Sequence, residues 1–164
     1  MSDITFSPGI DADTKARTEE FFRLVQVDET SDEDLRRLVE EGIDLEVRDN
    51  DGCTALMLAA GSGHIEVVQE LLARGADIEA RDNVGYTALI WAAGRGHIEV
   101  VQELLARGAD IEARDDDNNT ALILAAYGGH IEVVHALIGL GVNIEVRTTS
   151  GKTALILAAI NSHT

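Results

Sequence analysis

Apolar and polar positions alternate along this chain in a pattern that predicts short paired helices. Ile65, Val68, Leu71 and Leu72 are apolar, while Glu66, Gln69 and Glu70 lie between them. An i, i+3, i+6, i+7 spacing puts the apolar side chains on one face and predicts an amphipathic helix over 65–74. Just before it, residues 54–61 run Thr-Ala-Leu-Met-Leu-Ala-Ala-Gly. Small side chains let two backbones approach closely, so this stretch predicts a short inner helix in a tightly packed row. Gly61-Ser62-Gly63 turns the chain between the two. Gly75 stands just past the second helix, where a left-handed C-terminal cap is wanted. Residues 77–87 then read as an extended finger with a turn at Asp82-Asn83-Val84-Gly85.

The whole pattern returns every 33 residues, and residues 63–82 recur letter for letter as 96–115. A fixed period of this length marks an array of stacked units. No helix so short buries its apolar face alone, so burial comes from the neighbour on each side. Full units fall at 49–81, 82–114 and 115–147. A partial unit over 148–164 reaches only its inner helix. Residues 17–48 keep the register but match loosely. There Phe21, Phe22, Leu24 and Val25 make one apolar face. Ser31 with Asp32, Glu33 and Asp34 reads as an N-cap and an acidic first turn ahead of Leu35, Leu38 and Val39. This segment is read as a capping unit with a polar outer face. Residues 1–16 mix Ser, Asp, Gly and Pro without periodicity and are read as a flexible N-terminal arm.

The unit begins D-x-x-G-x-T-A-L, continues A-A-x-x-G-H and, in the first two copies, closes L-L-A-R-G-A-D. In these motifs and their spacing it resembles an ankyrin repeat. The resemblance implies an all-α ankyrin-repeat solenoid of stacked helix-turn-helix units with short projecting hairpin fingers. It also implies a non-catalytic protein–protein interaction module, gripping a partner with a concave surface of finger tips and inner helices. One departure is systematic. Where the family has Thr-Pro-Leu-His, this chain has Thr-Ala-Leu followed by Met57, Ile90, Ile123 or Ile156. The absent histidines tie adjacent fingers in the family, so an aliphatic column must substitute by packing and more mobile fingers are expected.

Composition narrows the partner. With 30 acidic and 13 basic residues the formal charge is -17, a field that repels phosphate backbones and anionic lipid. Nucleic acid and membrane surfaces are therefore not expected partners, and a partner steered by charge is a basic one. An acidic inhibitor or immunity-type protein masking a basic enzyme is one alternative. A consensus-like scaffold with no natural partner, suggested by the verbatim repeat, is another. A single cysteine excludes an internal disulfide, and no apolar run has signal-peptide or membrane-spanning character, so a cytoplasmic setting is the default. A monomer is expected, with end-to-end self-association through the uncapped last unit as the route to pairing.

No motif for a cofactor or metal emerges. His64, His97, His130 and His163 recur at repeat spacing, but layers about 8–10 Å apart hold them too far apart to share an ion. They are read as hydrogen-bonding the interhelical turn, and His135 as facing solvent. Gly61-Ser62-Gly63 and Gly94-Arg95-Gly96 lack the lysine and hydroxyl residue of a phosphate loop. The acidic runs 49–51 and 115–117 lack calcium-loop spacing. Asn118 replaces the finger glycines Gly52, Gly85 and Gly151, which fits a backbone of positive φ.

Positions identical in every unit serve stacking; positions that differ are free to specify a partner. The candidate partner-binding residues are therefore Asp51 and Cys53, Asn83, Val84 and Tyr86, Asp116, Asp117 and Asn119, and Lys152 on the fingers. Leu58, Trp91 and Leu124 join them from the inner helices, with Arg95 and Tyr127 toward the far end. Cys53 is read as exposed because its slot holds Tyr86, Asn119 and Lys152 in the other units. Trp91, the sole tryptophan, reads equally as the centre of a hot spot or as packing between neighbouring inner helices.

Overall fold

The computed structural model describes residues 4–162. Among them lie nine helices: α1 (Ala12–Leu24), α2 (Asp32–Glu41), α3 (Ala55–Ser62), α4 (Ile65–Ala73), α5 (Ala88–Arg95), α6 (Ile98–Ala106), α7 (Ala121–Gly128), α8 (Ile131–Gly139) and α9 (Ala154–Ile160). The described residues contain no strand, only an isolated antiparallel bridge between Thr5 and Arg48. Helices α1, α3, α5, α7 and α9 pack in series as an inner row, and α2, α4, α6 and α8 form the outer row.

The inner helices α3, α5, α7 and α9 each start from a threonine whose hydroxyl accepts the amide three residues on: Thr54 from Met57, Thr87 from Ile90, Thr120 from Ile123 and Thr153 from Ile156. Such a cap contributes about 1 kcal/mol. In α3, α5 and α7 the last turn closes on a glycine in the left-handed region, Gly63, Gly96 and Gly129. The outer helices bury Val67, Val68 and Leu71 in α4 and the same positions in α6. The buried stripe therefore includes Val67, which the sequence spacing left out, while Ile65 and Leu72 lie half-covered at its edges. Leu71 and Leu104, at the same position of α4 and α6, are both fully buried, as a stacked array requires.

The histidines fasten one layer to the previous one. His97 Nε2 lies 3.0 Å from the Gly61 carbonyl and His130 Nε2 lies 3.0 Å from that of Gly94. These carbonyls belong to the end of the preceding inner helix, where no intrahelical donor remains. At the equivalent Tyr127 carbonyl, the Asn161 side-chain amide donates instead, at 2.8 Å. His64 reaches Asp32 of α2 at 2.6 Å. The expected turn contact thus becomes a contact across layers; His163 lies outside the described residues.

Two expectations need correction. Residues 4–16 do not form a detached arm. Ser7 donates to Asp44 through its amide (2.9 Å) and hydroxyl (3.1 Å), and α1 already begins at Ala12, capped by Asp11. The helix was hidden because its first turns carry a polar cap and a threonine, Thr18, buried through hydrogen bonds to Thr14 and Asp44. The fingers, too, are tied without the family's histidines. Main-chain bonds link each to the next: Asn83 to Asp51 (2.9 Å), Asp116 to Val84 (3.0 Å) and Thr149 to Asp117 (2.9 Å). Arg48 adds a bond to the Arg81 carbonyl and Arg81 one to that of Arg114. Met57, Ile90 and Ile123 fill the space beneath, and Ile156 is partly exposed. Asn118 has φ 64°, against 78° and 85° at Gly52 and Gly85.

Candidate partner-binding face

The face is assembled from the finger bases. Asp82 begins its finger and is buried. Its Oδ1 accepts from the amides of Val84 (3.0 Å) and Tyr86 (2.8 Å), closing the turn. Its Oδ2 accepts from Trp91 Nε1 at 3.0 Å. Asp49 and Asp115 make the same pair of backbone bonds, but neither has an indole above it, because the slot of Trp91 holds Leu58 and Leu124. One carboxylate therefore fixes both a finger and the only tryptophan.

Trp91 is half-buried. The Tyr86 ring meets it edge-on, with centroids 5.4 Å apart and planes at 67°. The Arg95 guanidinium sits over it, 5.1 Å from the ring centre. Gly61 of α3 lies beneath, where an added Cβ would come 3.4 Å from the indole Cε3. Trp91 thus packs on a neighbouring inner helix and also offers an outer surface. Tyr86 has its phenol pKa pushed up by burial and by the carboxylates of Asp115, Asp82 and Asp117, so it stays a neutral hydrogen-bonding group.

Trp91 and Arg95 line a groove of about 610 Å³, with Leu58, Gly61 and Ser62 beside them and the α1–α2 connection, Val25, Gln26, Val27 and Asp28, as the opposite wall. That wall went unread in the sequence. The full units join inner to outer helix through a glycine and a histidine, but here Leu24 and Asp32 are separated by a longer loop. The only sequence signal was the loose match of 17–48 to the repeat.

The remaining candidates divide. Asp51, Asn83, Val84, Asp116, Asp117 and Tyr127 are exposed, and Asn119, Leu124 and Lys152 are half-buried. Tyr127, Leu124 and Lys152 belong to later layers and do not line the groove. Cys53 is a correction: it is 2% exposed, with its sulfur 3.9 Å from Asp82 Oδ2. Burial, reinforced by the carboxylates of Asp49, Asp82 and Asp51, pushes its thiol pKa up to about 12. It is neither a surface contact nor a thiolate nucleophile. Slot variability did not mean exposure, because each occupant finds its own neighbour: Tyr86 finds Trp91, and Asn119 donates to Asp115 Oδ2 at 2.8 Å.

Among the described residues no group of three His, Cys, Asp or Glu side chains is placed to hold a metal ion. No described helix is long and apolar enough to cross a membrane.

This architecture, paired short helices in two rows with bonded fingers at their base, defines a helical-repeat solenoid. A family model described as ankyrin repeats (3 copies) matches residues 24–115 and 112–164. The chain belongs to the ankyrin-repeat family, whose repeats serve generally as protein–protein interaction modules. No curated protein matches the chain closely enough to count as a relative.

Proposed function

We propose that this chain is a non-catalytic binding module that holds a partner protein against the finger and inner-helix face centred on Tyr86 and Trp91. The observation that supports the reading is the break in repetition at Trp91. A column otherwise made of leucine carries one indole, hydrogen-bonded to Asp82 and stacked under Arg95. Aromatic and arginine side chains in a half-buried cluster have the composition of a binding hot spot. The Tyr127 ring and the finger carboxylates Asp51, Asp116 and Asp117 extend the same face into the neighbouring layers on either side. A reducing compartment fits a lone, buried, high-pKa thiol.

The test is a double substitution, Tyr86→Ala with Trp91→Ala. A partner recovered by pull-down from the source cell and identified by mass spectrometry should bind the variant at least about tenfold more weakly, the loss of one hot-spot anchor. Helical content by circular dichroism should stay near wild type. Unchanged affinity in a folded variant removes the site.

A further inference from the structure

Arg95 stands apart from the other arginines of the described residues. Arg23, Arg36, Arg37, Arg74 and Arg107 each hold a carboxylate. Arg17, Arg48, Arg81 and Arg147 donate to main-chain carbonyls, and Arg114 donates to the Asn118 side chain. In a chain with 30 acidic residues, Arg95 alone has no acceptor. It is exposed, and its place is set by the Trp91 ring beneath it. That ring is in turn held by Asp82 and by the edge of Tyr86. A guanidinium positioned by stacking loses little freedom when it binds, and its planar fork of donors matches a carboxylate in two parallel bonds.

The groove beside it is bipolar. Asp28, on the wall opposite α5, is the only other formally charged side chain in the lining besides the histidines. His97 and His130 are turned to carbonyls and His64 to Asp32. The rest of the lining mixes the polar side chains of Gln26 and Ser62 with aliphatic surface from Leu58 and from Val27, which is 45% exposed. A ligand in this space therefore meets a cation from α5, a carboxylate from the α1–α2 connection, and aliphatic surface from Leu58 and Val27 beside neutral polar groups.

We propose that the groove takes an extended segment of the partner in which a carboxylate side chain pairs with Arg95 and an adjacent apolar side chain packs on Leu58 and Val27. This rests on the reading of the Trp91 face as the binding surface and adds the chemistry of what binds. Asp28 sets the direction, since the segment's amide or basic groups lie toward the α1–α2 connection. A single carboxylate with neutral or basic flanks suits the site better than a doubly charged phosphate, which would face Asp28 and the field of a chain with formal charge -17.

The experiment is selection of a random dodecamer display library on the full chain, followed by fluorescence anisotropy of the tightest peptide. The selected pool should be enriched in Asp or Glu beside Leu, Ile or Phe. Arg95→Gln should weaken that peptide at least about tenfold, and Arg95→Lys should retain part of the affinity. Replacing the peptide carboxylate by its amide should cost a similar factor on wild type and nothing on Arg95→Gln. A pool without a carboxylate preference, an affinity indifferent to Arg95→Gln, or no selected peptide at all overturns the proposal. Peptides that still lose binding in Trp91→Ala leave the face standing and refute only the carboxylate; peptides indifferent to both substitutions refute both.

Discussion

Asp82 is the residue on which the finger and the indole depend together, and Asp82→Asn separates the two roles. The amide oxygen can still accept from Val84 and Tyr86, as Asp82 Oδ1 does at 3.0 and 2.8 Å. Its NH2 group then replaces Oδ2 and points a donor at the Trp91 Nε1–H, which now lies 3.0 Å from an acceptor. Losing a hydrogen bond to a charged group costs about 1.5–3 kcal/mol, and two opposed donors gain nothing in return. Trp91 is only half-buried, so water recovers part of this, and a net loss of about 1–2 kcal/mol follows. Asp49→Asn is the internal control, because Asp49 makes the same backbone bonds with no indole above it. The assay is urea unfolding of Asp82→Asn, Trp91→Phe and the double variant, followed by circular dichroism. Because Trp91 is the only tryptophan, its emission maximum reports the indole directly. Asp82→Asn should be less costly by about 1 kcal/mol in the Trp91→Phe background than in wild type. In the tryptophan-containing protein it should also shift emission to the red. Equal costs in both backgrounds, with an unmoved emission band, would refute the claim that this carboxylate fixes the indole.

Three further outcomes follow from the stacking. Gly63→Ala meets both a φ of +78° and the His97 ring, whose Nδ1 would lie 2.6 Å from the new Cβ. It should cost more than the 1–2 kcal/mol of the left-handed backbone alone, and adding His97→Ala should recover the excess in thermal unfolding. Burial lowers the His97 pKa below its ordinary 6.5. In the window below 6.5 the unfolded chain therefore binds a proton that the folded chain refuses. This part of the stability is complete above pH 6.5 and declines as pH falls toward the folded value, so the fall in urea midpoint from pH 7.5 to 5.5 should be smaller in His97→Gln. Leu122 and Leu155 occupy the same slot, 3% and 76% exposed. Leu122→Asp should cost more than about 4 kcal/mol and Leu155→Asp less than about 0.5 kcal/mol by urea titration.

The stack itself was legible because it is written redundantly. Leu71, Leu104 and Leu137 are all fully buried, and any one helix read correctly gives the others by translation. What the period does not contain could not be read from it. The α1–α2 connection closes the groove with Val25–Asp28, yet it falls in the unit that matches the repeat least. Cys53 was misplaced by the opposite route: comparing slots assumes that equal positions have equal surroundings, and the finger of the next unit puts the Asp82 carboxylate over this one. Trp91 and Arg95 were picked out as departures from the pattern, but that one lies over the other is a fact of three dimensions. Residues 4–16 were obscured by polarity, since their contacts to Asp44 are hydrogen bonds and leave no apolar rhythm.

The histidine bonds run one way along the array. His97 secures the end of α3, His130 the end of α5, and Asn161 the end of α7, so every tier is latched by the tier that follows it. Losing a tier on the C-terminal side therefore leaves a helix-end carbonyl without its donor, whereas losing one on the N-terminal side leaves a histidine without its acceptor. The tier that carries Trp91 and Arg95 is thus held in register by His130, a residue of the tier that follows it.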